Sequence, residues 1–177
     1  MKKAVFLDRD GIINKDSGYV FKPEDFNFID GVFGFCRTAQ SKGYLLIIIT
    51  NQSGIARGYF TEQDFHELNN WMLEEFKKNG VNITAVYYCP YHPDYGEGIY
   101  KQDSFDRKPN PGMIQKAQAE HDIDLSNSII IGDKDSDVEA GRVAGVGKLI
   151  LIKGQYKITQ ADDVIVCESL SYAINLF

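Results

Sequence analysis

The run Lys3-Ala4-Val5-Phe6-Leu7-Asp8-Arg9-Asp10-Gly11 decides how the rest of the chain is read. Its apolar part, Ala4 to Leu7, is bounded by turn chemistry and reads as a buried strand. It stops at two carboxylates one residue apart, with Gly11 behind them. Side chains alternate along extended backbone, so Asp8 and Asp10 project the same way if that geometry continues. Two like charges so close repel, and a divalent cation is the usual remedy. An open α/β sheet places its ligand at the carboxyl ends of its strands. A lone Asp-x-Asp is weak, and its weight depends on what ends the later strands.

Working outward, Gly31 to Lys42 carries Val32, Phe35, Cys36 and Ala39 at helical spacing, stopped by Gly43. Tyr44 to Ile49 is a second apolar strand that runs into Thr50-Asn51-Gln52-Ser53-Gly54. Thr61 then caps a helix with Phe65, Leu68, Met72 and Phe76 on one face, closed by Lys77, Lys78 and Gly80. Ile83 to Cys89 reads as a third strand. Residues 12–30 and 90–107 lack periodicity and read as loops; one as long as 90–107 is functional or clamped. Asn110-Pro111 opens a helix running to about His121, with Asn110 as the cap. Ser128 to Ile131 is a fourth strand, ending in Gly132-Asp133-Lys134-Asp135, and a helix follows. Lys148 to Ile152 and Asp163 to Val166 give two more strands, and Ser169 to Leu176 a closing helix. This alternation means a Rossmann-like, doubly wound, mostly parallel α/β sheet with helices on both faces. No cap domain is inserted, and residues 1–177 are expected to form a single domain.

The totals agree with a soluble enzyme. The chain has 177 residues, 44% hydrophobic and 25% charged, with a formal charge of -6. That charge argues against nucleic acid as the partner, so an anionic substrate needs a local cluster of Arg or Lys. Three scattered cysteines, Cys36, Cys89 and Cys167, suggest no disulfide framework. Neither a signal peptide nor a membrane span is expected, and the reading is a cytoplasmic monomer with no membrane partner.

Three apolar strands thus end in Asp8/Asp10, Thr50/Asn51 and Asp133, and Lys108 stands just before a helix start. That set has the chemistry for phosphoryl transfer. One carboxylate attacks phosphorus, carboxylates hold a metal, and a hydroxyl and an ammonium hold the phosphoryl oxygens. Asp135 and Asp137 read as helix-capping acids before metal ligands.

Here the sequence resembles the haloacid-dehalogenase-type phosphatases. Within them it is most similar to the D-glycero-D-manno-heptose 1,7-bisphosphate phosphatases and the related histidinol-phosphatase domain. The likeness is carried by Asp8-Arg9-Asp10-Gly11-Ile12-Ile13-Asn14, Asp16-Ser17-Gly18-Tyr19-Val20, Thr50 with the run Asn51 to Gly58, Arg107-Lys108-Pro109, Pro111-Gly112-Met113 and Gly132-Asp133-Lys134. It covers residues 4 to about 152, in order.

The resemblance implies Asp8 as nucleophile, forming an aspartyl-phosphate, and Asp10 as the acid and then base. A free aspartate titrates near ~3.9, so the acid role requires a tuned environment. It further implies Mg²⁺ held by Asp8, the main-chain carbonyl of Asp10 and Asp133. Thr50 and Lys108 neutralise the phosphoryl oxygens. Asp16, Ser17, Gly18 and Tyr19, with Asn51, Gln52 and Ser53, line the sugar site. Arg57 is either a further substrate-binding residue or a brace for its own loop, and Arg107 and Lys134 grip the remote phosphate or hydroxyls. The implied reaction removes the 7-phosphate of the heptose bisphosphate. Alternatives are histidinol phosphate or another small sugar phosphate as substrate, a silent sugar-phosphate binder, or a receiver-like module. The last places its phosphorylated Asp at the third strand, which here ends in Cys89-Pro90.

One departure stands out. Relatives clamp the loop after the third strand with zinc through a Cys-x-His pair and a later Cys-x-Cys. This chain keeps Cys89 but has Tyr91, Ser104 and Asp106 at the other three positions. With the thiolates gone a structural zinc is not expected, although His92 could join Cys89, Asp103 or Asp106. The loop is then expected either to be held by packing of Tyr87, Tyr88, Tyr91 and Tyr95 or to be mobile.

Overall fold

A computed structural model describes residues 1–159 and 161–177. Its strands form one six-stranded sheet in the order β3-β2-β1-β4-β5-β6, and every described pairing is parallel. The strands are β1 (Lys3–Leu7), β2 (Tyr44–Asn51), β3 (Ala85–Cys89), β4 (Ile129–Gly132), β5 (Lys148–Ile152) and β6 (Val164–Cys167). The helices are α1 (Val32–Ser41), α2 (Glu62–Lys78), α3 (Gly112–His121), α4 (Asp135–Ala144) and α5 (Leu170–Ala173).

The two-residue period of the strands sorts the core into two layers. Val5 and Leu7 face one side of β1, where α1, α2 and α5 bury Phe35, Leu68, Met72, Phe76 and Leu170 against them. Ala4 and Phe6 face the other, under Met113 and Ile114 of α3 and Val138 and Ala140 of α4. Strand order reverses between β1 and β4, so the crevice at their carboxyl ends is where such a sheet holds its ligand.

The helix ends explain their own placement. Thr61 caps α2: its Oγ1 accepts from Asp64 N at 3.1 Å, while Asp64 Oδ2 accepts from Thr61 N at 2.7 Å. Several boundaries differ from the sequence reading. The third strand begins at Ala85, with Thr84 N already donating to Leu46 O of β2 at 2.8 Å. The fourth begins at Ile129; Ser128 instead accepts from Ala4 N at 2.9 Å and donates to Asp124 O at 2.6 Å. The sixth is Val164–Cys167. Asn110 does not cap α3, since Pro111 occupies that position and Asn110 Nδ2 donates to Ser104 O at 3.1 Å. The closing helix is four residues of α5 tightened into a 3₁₀ turn at Ile174–Leu176.

The 90–107 loop is ordered by side chains. Tyr88 and Tyr100 both donate to the Glu62 carboxylate, at 2.6 and 2.8 Å. Arg57 stacks 3.5 Å above the Tyr95 ring, and Arg107 Nη1 donates to Tyr91 O at 3.3 Å. His92 accepts from Asp94 N at 3.1 Å and packs on Tyr95, and Asp106 pairs with Lys116. Of the four tyrosines expected to hold this loop, Tyr87 alone looks elsewhere, donating to Glu120 at 2.5 Å.

Candidate active site

Asp8 follows β1 directly, and its N–H donates to Ile131 O at 3.0 Å, which ties it to β4. Its Oδ1 accepts from Arg9 N and from Lys108 Nζ, both at 2.8 Å. Lys108 arrives from far along the chain and is buried. Its ammonium also lies 2.6 Å from Asp137 Oδ1 and donates to Ile49 O at 3.0 Å. Burial disfavours the charged ammonium, yet the charges of Asp137 and Asp8 outweigh it and raise the Lys108 pKa above its ordinary value.

Asp10 turns to a different set of donors. Arg9 Nη2 reaches Oδ1 at 2.9 Å and Asn14 Nδ2 reaches it at 3.0 Å, while Gln52 Nε2 reaches Oδ2 at 3.0 Å. Arg9 is itself buried and anchored on Val20 O at 2.8 Å. The Asp10 carboxylate is thereby aimed independently of Asp8. Gln52 Nε2 also donates to Thr50 Oγ1 at 2.8 Å, and Thr50 lies fully buried beneath the cleft.

Oxygens of Asp8, Asp133 and Asp137 lie within 4.8 Å of one another. Hard carboxylate oxygens of this kind suit Mg²⁺. Two features fit a cation here. Asp133 Oδ1 is buried with no hydrogen-bond partner, and Gly11 leaves the room: at φ +98 its missing Cβ would sit 2.0 Å from Asp133 Oδ2. Burial, then the charge of Asp8, pushes Asp133 up to about 7; burial, then the charge of Asp137, pushes Asp8 up to about 6. Asp137 caps α4 as its spacing suggested, accepting from Lys134 N at 3.0 Å. It also closes the carboxylate cluster, where the Asp10 side chain takes no part.

A cleft of about 540 Å³ opens above this floor. Asp8, Asp10 and Lys108 reach it, and of the expected sugar-site residues Asp16, Gly18, Tyr19, Asn51, Gln52, Ser53, Arg107 and Lys134 line it. Thr50 and Asp133 lie behind its wall. Ser17 and Arg57 do not line it. Arg57 is drawn off by the Tyr95 ring, and it lines a neighbouring hollow with Tyr59. Sequence reasoning missed Tyr156 and Ser136, both on the cleft wall. The only signal for Tyr156 was its position on the loop after a parallel strand.

Residues 105–173 match a family model described as HAD-hydrolase-like. The chain is 53% identical over 150 residues to the D-glycero-alpha-D-manno-heptose-1,7-bisphosphate 7-phosphatase of Burkholderia mallei, covering 85% of this chain and 79% of that one. It is 48% identical over 164 residues to the corresponding beta-anomer phosphatase of Vibrio cholerae, covering 93% and 88%. The crystal structure of the D,D-heptose 1,7-bisphosphate phosphatase of B. bronchiseptica, complexed with magnesium and phosphate, superposes with a TM-score of 0.84 at 26% identity, covering 98% of this chain and 97% of that one. A parallel sheet with acids and a lysine at its switch point defines the class: this chain belongs to the haloacid-dehalogenase-type phosphatases, hydrolases of phosphate monoesters. Its place among them is with the D-glycero-D-manno-heptose-1,7-bisphosphate 7-phosphatases.

Proposed function

We propose that this protein removes the 7-phosphate of D-glycero-D-manno-heptose 1,7-bisphosphate with Mg²⁺, through a phosphoryl group carried on Asp8. The observation that carries the reading is the Asp8–Lys108 pair at 2.8 Å on the floor of a polar cleft. Both donors to Asp8 use Oδ1, and among the described residues none holds Oδ2. That oxygen is the attacking one. As the Oδ2–phosphorus bond forms, the bond from phosphorus to the sugar oxygen breaks, and a proton from the Asp10 carboxyl goes to the leaving oxygen. Asp10 then takes a proton from water as its oxygen displaces Asp8 and frees phosphate. Arg9, Asn14 and Gln52 hold Asp10 on the line of departure.

Lys108 and Thr50 offset the charge on the phosphoryl oxygens. Asp8, Asp133 and the main-chain carbonyl of Asp10 would hold Mg²⁺, with Asp137 at its side, and the bound ion adds positive charge beside the transferring phosphate. Arg107, half-buried at the cleft wall, is the group for the second phosphate. The polar side chains of Asp16, Asn51, Gln52 and Ser53 suit a polyhydroxylated chain. Among the described residues no helix is long and apolar enough to cross a membrane.

Phosphate release from both heptose bisphosphate anomers and from histidinol phosphate, with Mg²⁺, tests the reading. Activity confined to histidinol phosphate would overturn the substrate. Asp8→Asn is expected to abolish turnover while the bisphosphate still binds; steady hydrolysis by that variant would remove the nucleophile.

A further inference from the structure

The loop between β5 and β6 returns across the cleft, and no role assigned so far uses it. Tyr156, 38% exposed, lines the cleft from this loop. Its hydroxyl donates to Asp16 Oδ2 at 2.6 Å, and the ammonium of Lys134 lies 4.4 Å from its ring centroid. Lys134 Nζ also lies 3.3 Å from that same Asp16 oxygen. The tyrosine is fixed from both sides along the chain. Gln155 Nε2 donates to Asp16 O at 3.2 Å, and Thr159 N donates to both Asp135 oxygens at 3.1 Å.

The phenol hydrogen is committed to a carboxylate, so the phenol oxygen is left to accept. Its neighbour Asp16 is an anion. A sugar hydroxyl can donate to such a pair, whereas a phosphate dianion has no proton to give these acceptors. The cleft thus holds acceptors at Asp16 and Tyr156, braced by Lys134, and a separate cation at Arg107.

We infer that Tyr156 is a positioning and specificity-determining residue that, together with Lys134, locks the Asp16 carboxylate in place as a hydroxyl acceptor, selecting a phosphate attached to a polyhydroxylated carbon chain over a plain phosphate monoester. The inference rests on the sugar-phosphate reading above. It acts through Asp16, so the tyrosine's effect falls on recognition of the sugar.

The full chain with Mg²⁺ is assayed on heptose 1,7-bisphosphate and on p-nitrophenyl phosphate. Tyr156→Phe removes the bond to Asp16 and keeps the ring under Lys134. The ratio of kcat/KM for the sugar to that for p-nitrophenyl phosphate is expected to fall about tenfold, the scale of one hydrogen bond to a charged group, and to fall through the KM of the sugar. Combining it with Asp16→Asn is expected to add little further, because both break the same contact. An unchanged ratio, or a drop carried by kcat on both substrates, would overturn the inference, as would fully additive effects. If the wild type ignores heptose bisphosphate but prefers another polyol phosphate, the substrate reading falls alone, and the same ratio on that polyol still decides the role of Tyr156. A wild type with no preference for any polyol phosphate overturns both.

Discussion

Asn51 grips the main chain of Lys108 at both ends: its Oδ1 accepts from Lys108 N at 3.1 Å and its Nδ2 donates to Lys108 O at 3.0 Å. The residue that ends β2 thus sets the height at which the lysine of a distant loop enters the site. Asn51→Ala removes both bonds and leaves the ammonium to be placed by Asp8, Asp137 and Ile49 O without a fixed main chain. The expected result is a loss of about 1–2 kcal/mol of stability and a fall in kcat of roughly a hundredfold, on the scale of misplaced catalytic groups. Kinetics and thermal melts on the same preparation check it. A variant with wild-type kcat would show that Lys108 needs no such guide.

The raised pKa values of Asp8 and Asp133 make a prediction about pH. Both carboxyls have an ordinary value of 3.8, and in the folded chain without added cation they stand at about 6 and about 7. Between these limits the folded state keeps protons that the unfolded chain has released. Their contribution is therefore fully present below about pH 4 and is lost as pH rises through 6 to 7. Chelator-treated protein is expected to lose on the order of several kcal/mol of stability over that window, less whatever other groups return. Magnesium should restore much of it at pH 8 and little at pH 5. Asp133→Asn should flatten the profile; an equally steep one would place the cause elsewhere.

Gly11 is predicted to accept no side chain. Its φ of +98 disfavours one, and the added Cβ would stand 2.0 Å from an oxygen of Asp133. Gly11→Ala is expected to cost about 2 kcal/mol or more and to abolish stabilisation by magnesium. Calorimetric titration with Mg²⁺ reads this out. Undiminished binding would mean that Asp133 can move aside freely.

The clamp on the 90–107 loop consists of carboxylate–tyrosine bonds and an arginine on an aromatic ring. Tyr100→Phe combined with Arg57→Leu is expected to speed limited proteolysis between residues 93 and 103 several-fold, with little effect on the melting temperature. Zinc chelators should leave the wild-type cutting rate alone. One equivalent of tightly held zinc in the purified protein, with faster cutting on its removal, would contradict this account.

The sheet was readable because its strands are buried on both faces. Val5, Phe6, Ile47, Ile48, Ile130 and Ile131 are apolar without interruption, and short apolar runs between helical periods have few other uses. The first-strand acids and Lys108 were readable by their position at strand and helix ends. What stayed hidden depended on contacts between segments distant in the chain. Asp137 carries the signature of a helix cap, and only folding shows the same carboxylate against Lys108. Arg57 sits in the run that most resembles the family, yet Tyr95 takes it from the cleft. Tyr156 lies in a stretch with no periodicity, and its partner Asp16 is at the other end of the sequence. Asn110 looked like a cap because Asn followed by Pro so often is; the nearby Ser104 carbonyl competed for its amide and won.

The strand order has a consequence for how the molecule is made. Val5 to Leu7 pair on one side with Leu46 to Ile48, and on the other with Ile129 to Ile131. On the ribosome, β1 through β3 can assemble into a half-sheet while the second edge of β1 waits for more than half of the chain to be synthesised. An unpaired apolar edge of that kind is a template for pairing with another chain. Asp8 thus stands at the rim of the nascent protein's stickiest border, and a product truncated before Ile129 is left with that border permanently open.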